Sequence, residues 1–317
     1  MTEQVAMREA YGKALVAYGD TNRDVVVLDA DTSGSTFSSF FAERFPERFF
    51  NVGIAEPCMV DVAVGLALGG KIPFANAFAP LLALRALEQI RTCVCYARTN
   101  VKLAAAYAGL SDYKDGPTHH SLTDIAIMRA LPHMMIVVPA DAYEATECVR
   151  LVGEYNGPVY LRLSRAATLP AHAGGAKLVL GQGVTLRDGH DVSLIATGAM
   201  VGRGLRAAQV LADKGVSMRV IDIHTIKPLD DVLIEQAADE TGALVTAEEH
   251  STVGGLGGAV AESLAATKPV PIERVGVEDT FACTGLDADS LMDAYGLAVE
   301  DIVAAAERCI ARKQGRP

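Results

Sequence analysis

Short runs of apolar and β-branched residues alternate with longer segments of helical spacing along the first half of the chain. Strands are predicted at 25–29, 71–75, 101–106, 135–138 and 159–163. The segments 59–68, 81–97, 124–130 and 142–155 have helical composition, with glycine or proline near several of their ends. Because alternating strands and helices build parallel sheets covered by helices, the first half is predicted to be a doubly wound α/β domain.

A second alternating series follows a turn-rich stretch of small residues. Its predicted strands are 192–196, 217–221, 243–247 and 272–276, and its predicted helices are 201–214, 230–240, 257–266, 288–295 and 299–312. The pattern therefore predicts an α/β protein with a first domain over 1–168, a linker over 169–190 and a smaller α/β domain over 191–317.

Composition and charge narrow the class of protein. Half of the 317 residues are hydrophobic and 21% are charged, which is typical of a globular chain. The net charge of −11 comes with no local basic stripe, so a nucleic-acid partner is not expected. No apolar run approaches the ~20 residues of a membrane span, and the start of the chain lacks a signal-like stretch. We expect a cytoplasmic protein with no membrane contact, whose six cysteines, without a CxxC pair, stay reduced.

The segment 51–59, NVGIAEPCM, places an acid at the start of a predicted helix. An acid in the first turn of a helix commonly stabilises the helix dipole or caps free N–H groups. Position alone therefore leaves Glu56 open to a structural or a chemical role.

The segment 115–121, DGPTHHS, lies between a predicted strand and a predicted helix. Such loops meet at the carboxyl edge of a parallel sheet, where ligands bind in open α/β folds. His119 and His120 are compatible with a solvated or helix-capping role as well. Zinc is disfavoured because neighbouring side chains diverge and no third ligand follows at a familiar spacing. No phosphate-binding GxxxxGK[ST] motif is present, and the GGLGG of 254–258 lacks the GxGxxG spacing.

Taken together, the motifs resemble the C-terminal two thirds of a transketolase, which are its pyrimidine-binding domain and its C-terminal domain. The resemblance runs from Arg8 to the C-terminal helix. Its segments are REAYG at 8–12, LDADTSGS at 28–35, VGIAE at 52–56, AFA at 77–79, RALEQIR at 85–91, DGPTH at 115–119, PAD at 139–141, LSR at 163–165 and EEHSTVGGLG at 248–257.

The resemblance implies thiamine diphosphate as the cofactor. In the family, a glutamate matching Glu56 protonates the ring nitrogen of the cofactor's aminopyrimidine, which then acts as the base. An apolar site would favour the neutral carboxyl that shares this proton. Phe78 is implied to pack against the pyrimidine and Asp31 to lie close to the cofactor. Leu81 stands where the family usually has an aromatic residue of the pyrimidine pocket.

The resemblance also implies a substrate end. His119 is similar to the residue that hydrogen-bonds the reacting oxygens of the donor, and Asp115 to the one that reads a hydroxyl of the acceptor. The family's sugar-phosphate contacts are matched by Arg8, Ser35 and Arg165. Tyr107 stands where transketolases usually offer a phosphate-binding histidine, and residues 110–114 read LSDYK instead of a Gly-Glu type of loop. The phosphate contact is therefore expected to differ from that of ordinary transketolases.

The Gly-Asp-Gly…Asn motif that holds the metal on the cofactor's diphosphate has no match here. We therefore expect a small subunit of a split transketolase, which transfers a two-carbon ketol unit from a ketose to an aldose. A separate diphosphate-binding N-terminal subunit would hold Mg²⁺ or Ca²⁺, and two copies of each subunit would form a heterotetramer. The alternatives are a deoxyxylulose-phosphate-synthase-like subunit, a 2-oxo acid dehydrogenase beta-like subunit and a non-catalytic regulatory paralogue.

Overall fold

Two β-sheets, each covered by helices, form the framework of the chain. The structure is a computed structural model and describes residues 5–172 and 176–315. Residues 173–175 of the predicted linker lie outside the described residues. So do residues 1–4 of the predicted first domain and residues 316–317 of the predicted second domain. No helix in the described ranges is long and apolar enough to cross a membrane.

The first half contributes six strands to the larger sheet. Its strands are β1 Val25–Asp29, β2 Phe49–Asn51, β3 Ile72–Phe78, β4 Lys102–Ala106, β5 Met135–Val137 and β6 Val159–Arg162. Its helices are α1 Met7–Thr21, α2 Ser33–Thr36, α3 Ser39–Arg44, α4 Glu56–Leu68, α5 Ala79–Arg85, α6 Leu87–Gln89, α7 Asp124–Ala130 and α8 Ala142–Glu154, with a 3₁₀ turn at Pro46–Arg48 and a π-helical segment at Ile90–Tyr96.

The second half builds the smaller sheet. Its strands are β7 Val184–Arg187, β8 Val192–Ala196, β9 Met218–Asp222, β10 Thr225–Lys227, β11 Leu244–Ser251 and β12 Ile272–Val277. Its helices are α9 Met200–Asp213, α10 Asp231–Thr241, α11 Leu256–Ala265, α12 Ala288–Ala294 and α13 Val299–Lys313. Four of these strands are parallel in the order β12-β11-β8-β9, and β7 pairs antiparallel with β9 at the edge.

One strand of the second half belongs to the sheet of the first. The larger sheet has the order β10-β5-β6-β4-β3-β1-β2, in which β10 pairs antiparallel with β5. A continuous hydrophobic core accordingly includes Leu28 and Leu103 from the first half and Ile195 and Leu244 from the second. The two halves therefore bury part of their apolar surface against each other.

Every residue of β1, β4 and β8 is buried. This is the signature of parallel strands covered by helices on both faces, which read as continuous apolar runs. The predicted strands at 25–29 and 192–196 and the predicted helix at 124–130 have the bounds that the structure gives, and the α/β fold of two sheets is confirmed.

Some predicted elements differ from the observed ones. The single helix predicted over 81–97 is wrong, because α5 ends at Arg85 and a π-helical segment follows α6. No prediction covered α1, β2, β7 or β10. The three strands have three or four residues each, which is too short for a period to show. In α1, by contrast, the buried residues Met7, Tyr11 and Leu15 recur at a spacing of four and carry a readable helical signal.

Candidate active site

Three neighbouring strands of the larger sheet end beside one another and supply the floor of the candidate site. The order β4-β3-β1 brings the ends of these parallel strands to one edge. Asp31 follows β1, Phe78 ends β3 and Tyr107 follows β4. The sheet therefore gathers three of the residues singled out from the sequence, as expected for the carboxyl edge of an open α/β fold.

Glu56 is the first residue of α4 and is 2% exposed. Its carboxylate oxygens lie 3.2 and 3.4 Å from Nη1 of Arg85, the last residue of α5. The Arg85 side chain is about half exposed, so the guanidinium closes the side of Glu56 that faces solvent. Leu81 lies one helical turn before Arg85 and is half-buried. Sequence reasoning identified Glu56 and Leu81 but missed Arg85, whose one signal was its place at the start of the RALEQIR segment.

An aromatic cluster joins the end of β3 to the loop after β4. The rings of Phe78 and Tyr107 lie 4.3 Å apart with an interplanar angle of 31°, and the ring of His119 meets Phe78 edge-on at 5.9 Å. Nδ1 of His119 lies 3.0 Å from the hydroxyl of Thr118. Stacked and edge-on aromatic pairs of this kind fix ring orientation. The structure thus places His119 over Phe78, as a shared site requires.

Arg8 reaches from α1 into the same cluster. It donates from Nη1 to the Ser35 carbonyl at 2.7 Å and to the Tyr107 phenol oxygen at 3.0 Å, and from Nε to the Arg165 carbonyl at 3.1 Å. The guanidinium groups of Arg8 and Arg165 lie 5.3 and 5.0 Å from the centre of the Tyr107 ring. Four of the predicted substrate residues are therefore in contact with one another: Arg8, Ser35, Tyr107 and Arg165. Tyr107 is 4% exposed and lies between the guanidinium groups of Arg8 and Arg165.

Arg165 also forms an ion pair with an acid that sequence reasoning missed. Its Nη1 lies 2.7 Å from Oδ1 of Asp112, whose side chain is fully buried. Burial and the neighbouring Asp115 raise the pKa of Asp112 to about 6, although Arg165 acts in the opposite direction. Asp115 itself is exposed. Asp115, the residue predicted to contact the acceptor, thus lies next to Asp112, which pairs with Arg165; the two acids are the ends of the segment DYKD.

The loop between β1 and α2 is shaped by the buried Asp29. Its carboxylate accepts hydrogen bonds from the hydroxyls of Thr36 and Ser38 at 3.1 and 2.8 Å, and also from Thr32. Burial raises the pKa of Asp29, and these hydrogen bonds oppose the rise. They hold Asp31 at a φ of +64°, where it accepts a hydrogen bond from Asn51 at 3.1 Å.

A carboxylate from the second half supports the loop that carries His119. Glu249 on β11 accepts the backbone N–H of Leu110 at 2.6 Å. A Cβ at Gly109, which has a φ of +67°, would lie 2.3 Å from the Glu249 carboxyl carbon, so glycine alone fits there. Burial raises the pKa of Glu249 to about 7, with Arg162 opposing the rise. Sequence reasoning had used this segment for the family resemblance and had assigned no role to Glu249.

A groove of about 370 Å³ opens beside the cluster. Its lining comes from α5, from the loop around His119, from the end of β11 and from residues 278–282. The lining residues outside 278–282 are Pro80, Leu84, Pro117, Thr118, His120, Leu122, Thr123 and Ser251. Two of its apolar side chains are strongly exposed, Leu84 at 56% and Phe281 at 87%. The chain therefore presents an apolar surface next to Glu56, Phe78 and His119.

These residues fit one side of a thiamine diphosphate site. Glu56 offers a buried carboxyl, Phe78 an aromatic face and the neighbouring groove an apolar wall. Among the described residues, the side chains that converge as a possible metal site are Glu144, Asp222 and His224, a group that does not include Glu56, Asp31 or His119. The chain would thus supply groups for the cofactor's ring, while the diphosphate metal would need other ligands.

Comparison with known proteins identifies the class. Residues 3–169 match the transketolase pyrimidine binding domain, and residues 181–302 match the transketolase C-terminal domain. The chain therefore belongs to the transketolase family.

Its relatives include subunits of divided transketolases. The putative transketolase C-terminal section of Methanocaldococcus jannaschii is 44% identical over 299 residues, with 93% of each chain covered. The 6-deoxy-6-sulfo-D-fructose transketolase subunit SqwH of a Clostridium species is 38% identical, covering 99% of this chain and 97% of that protein. A transketolase-type small subunit is the class that these similarities support.

Two solved structures share the fold. A split gene transketolase, described as an inactive β4 tetramer, is 46% identical, with a TM-score of 0.91 and coverage of 98% of this chain and 99% of that one. Transketolase from Leishmania mexicana has a TM-score of 0.83 at 23% identity and is covered over 46% of its length, a likeness of fold alone.

Proposed function

We propose that this chain is the small subunit of a two-subunit, thiamine-diphosphate-dependent transketolase that transfers a two-carbon ketol unit from a ketose to an aldose. The observation that carries the proposal is the meeting of Glu56, Phe78 and His119 around α5 and the ends of neighbouring strands, in a chain that belongs to the transketolase family.

The bound cofactor would supply a nucleophilic carbon and an internal aminopyrimidine base. Glu56 would share a proton with the pyrimidine ring nitrogen, and its buried position at the start of α4 supports that contact. Arg85 contacts that carboxyl in this structure and would have to move away from it when the pyrimidine binds. Its half-exposed side chain allows the guanidinium to turn toward solvent without disturbing α5.

Phe78 and Leu81 would contact the pyrimidine, with Phe78 supplying the stacking surface in the absence of an aromatic residue at 81. Asp31, held by Asn51, would lie close to the same ring. Phe78 lies on β3 and Leu81 on α5, whereas Asp31 lies on the loop after β1, so two of the three contacts would be built on regular elements.

His119 and Asp115 would act on the sugars. The contact of His119 Nδ1 with Thr118 leaves Nε2 facing outward for the reacting oxygens of the donor. Asp115 is exposed beside Asp112 and Arg165 and is suited to accept a hydroxyl of the acceptor. Both residues lie on the loop supported by Glu249.

The far end of the sugar would meet Arg8, Ser35, Tyr107 and Arg165. Two guanidinium groups are suited to bind phosphate or another oxyanion through forked hydrogen bonds. One donor of Arg8 is already given to the Tyr107 phenol, and Arg165 is paired with Asp112. The pocket is therefore partly neutralised, which supports weaker binding of phosphorylated sugars or a differently substituted substrate.

A partner subunit would complete the site. It would bind the diphosphate through Mg²⁺ or Ca²⁺, since the side chains that converge as a possible metal site in the described ranges, Glu144, Asp222 and His224, do not include Glu56 or Asp31. The related split gene transketolase forms an inactive tetramer of one kind of subunit. For this chain, that similarity supports self-association of the small subunit and a heterotetramer with two large subunits as the active form.

The test is reconstitution with a diphosphate-binding N-terminal transketolase subunit, thiamine diphosphate and Mg²⁺. Ketose donors, phosphorylated and not, are offered with an aldose acceptor, and pyruvate is offered in parallel. We expect ketol transfer by the mixture and none by either subunit alone. Activity with pyruvate in place of a ketose would indicate a synthase-like or dehydrogenase-like subunit, and inactivity with every donor would favour a non-catalytic paralogue.

A further inference from the structure

Four buried side chains meet where the two halves of the chain join. Glu144 lies in the first turn of α8, His172 lies in the connection between the halves, Asp222 ends β9 and His224 follows it. The side chains of Glu144, Asp222 and His224 are fully buried, and that of His172 is 1% exposed. None of them has a part in the proposed transketolase site.

Their polar atoms converge on one point. Nε2 of His172 lies 2.9 Å from Oδ2 of Asp222 and 3.1 Å from Oε1 of Glu144, and Nδ1 of His224 lies 3.7 Å from the same Glu144 oxygen. One ligand atom each from Glu144, Asp222 and His224 lies within 4.8 Å of the others. Four ligands placed tetrahedrally around Zn²⁺ are separated by about 3.4 Å, given metal–ligand distances near ~2.1 Å.

The tautomer of His224 directs a lone pair at the carboxylate of Glu144. Its Nε2 lies 3.2 Å from the Val179 carbonyl, which can only accept, so Nε2 carries the hydrogen and Nδ1 of the neutral ring carries a lone pair. Nδ1 has no hydrogen-bond partner within the described ranges and lies 3.7 Å from Glu144 Oε1, an acceptor that also lies 3.1 Å from Nε2 of His172. Two buried acceptors that face each other repel unless a cation or a proton lies between them.

The surroundings match those of a metal ligand set. Histidine ligands usually donate their second ring N–H to a carbonyl, and ligating carboxylates are themselves hydrogen-bonded. His224 does the former through Val179, and Glu144 does the latter by accepting the Ala140 N–H through Oε2 at 2.6 Å. Two carboxylates and the neutral imidazole of His224 carry a charge of minus two, which one divalent cation cancels.

Protons are the competing occupants. Although burial lowers it, hydrogen bonds with Asp222 and Glu144 raise the pKa of His172 to about 10, and burial raises the pKa of Asp222. A charged His172 between the two acids would satisfy part of the cluster. It would leave Nδ1 of His224 and Oδ1 of Asp222 without partners, and those atoms favour the metal.

We propose that Glu144, Asp222 and His224, with His172 hydrogen-bonded to both acids, form a structural site for a divalent transition-metal ion of the zinc class, which ties the first half of the chain to the second. One imidazole and two carboxylate donors in a buried site suit Zn²⁺ better than Mg²⁺ or Ca²⁺, which take more oxygens and keep water. Because the side chains are buried, the ion would enter as the halves fold together.

The test begins with the unaltered chain. It is unfolded with a chelator, then refolded with Zn²⁺, with Co²⁺ or without metal, and dialysed against metal-free buffer. We expect about one Zn²⁺ retained per chain by elemental analysis, a tetrahedral Co²⁺ absorption band, and a higher Tm for the metal-refolded samples. Equal Tm values with and without metal, together with no retained ion, would overturn the proposal.

Variants locate the ion. His224→Gln and Glu144→Gln should each lose the retained metal and the Co²⁺ band, whereas His190→Gln, whose side chain is 81% exposed, should retain both. Circular dichroism checks that each variant is folded. Metal retained equally by all folded variants would place the ion elsewhere and refute the site. If both cluster variants fail to fold, the comparison of the metal-free and metal-refolded unaltered chain decides.

Discussion

Glu249 accepts a hydrogen bond from the backbone N–H of Leu110 at 2.6 Å. Glu249 lies on a strand of the smaller sheet, and Leu110 lies at the start of the loop that carries His119. The substrate loop of the first half is thus anchored by a carboxylate of the second half. A role for the second half in setting the geometry of the candidate site follows from this contact.

The Glu249 contact predicts a particular dependence of stability on pH. Its folded-state pKa, about 7, lies above that of a free glutamate, so the folded chain binds the proton more tightly. The contribution of Glu249 is therefore present below about pH 4.3 and is lost as pH rises through about 7, by up to ~3 kcal/mol. Glu249→Gln should remove this decline relative to the wild type.

Urea unfolding at several pH values between 4 and 8 measures the difference. The matched control is Glu43→Gln, at an exposed position. A Glu249→Gln chain whose free energy of unfolding tracks that of the wild type at every pH would show that Glu249 is ionised without penalty and is not the group that titrates.

The pair of Glu56 and Arg85 predicts a measurable coupling energy. Removing Arg85 leaves the buried carboxylate of Glu56 with one donor fewer. Arg85→Gln should therefore lower the free energy of unfolding by ~1 kcal/mol. This value is small because the side chain of Arg85 is half exposed and solvent weakens the ion pair. In the Glu56→Gln background the same change should cost much less. A double-mutant cycle by urea unfolding measures the coupling.

The exposed pair of Lys71 and Asp24, 2.9 Å apart, is the control, with an expected coupling of ~0.5 kcal/mol or less. If the two pairs gave the same small coupling, the contact of Arg85 with Glu56 would not persist in solution.

Tyr107 is predicted to set the preference at the far end of the substrate. Tyr107→His replaces the phenol that accepts from Arg8 by a group able to donate to an oxyanion. Histidine tolerates the positive φ of this position, +62°. In the reconstituted enzyme we expect the variant to show a lower KM for phosphorylated acceptors, with a smaller change for unphosphorylated ones.

Kinetics with matched acceptor pairs measure this preference. Tyr96→His, at a position 85% exposed, is the control and should leave both constants as in the wild type. A Tyr107→His enzyme that gains no preference for the phosphorylated acceptor would exclude Tyr107 from that end of the substrate.

The isolated chain is predicted to bind thiamine diphosphate weakly. It offers the ring-side groups Glu56 and Phe78, but the possible metal-binding group among the described residues, Glu144, Asp222 and His224, does not include them. Titration calorimetry with and without Mg²⁺ measures the affinity. We expect tight, Mg²⁺-dependent binding after the partner subunit is added, and the same tight binding by the chain alone would contradict the division of the site.

The sequence predicted the α/β class and most buried strands, because buried parallel strands are continuous apolar runs. The roles of the motif residues that follow the strand ends stay predictions. Long-range contacts escaped prediction. Arg85 at Glu56, Glu249 at Leu110 and β10 beside β5 join segments far apart in the chain, and no local period or propensity records such pairings.

Glu56 is proposed to serve the cofactor's pyrimidine in a complex with a diphosphate-binding subunit. The most direct measurement is the turnover of ketol transfer by reconstituted Glu56→Gln, beside wild type and Glu43→Gln, with assembly checked by sedimentation. We predict a loss of on the order of 10²-fold or more for Glu56→Gln with assembly intact, as expected when an acid–base partner is removed. Near-native turnover of the assembled Glu56→Gln complex would contradict the account.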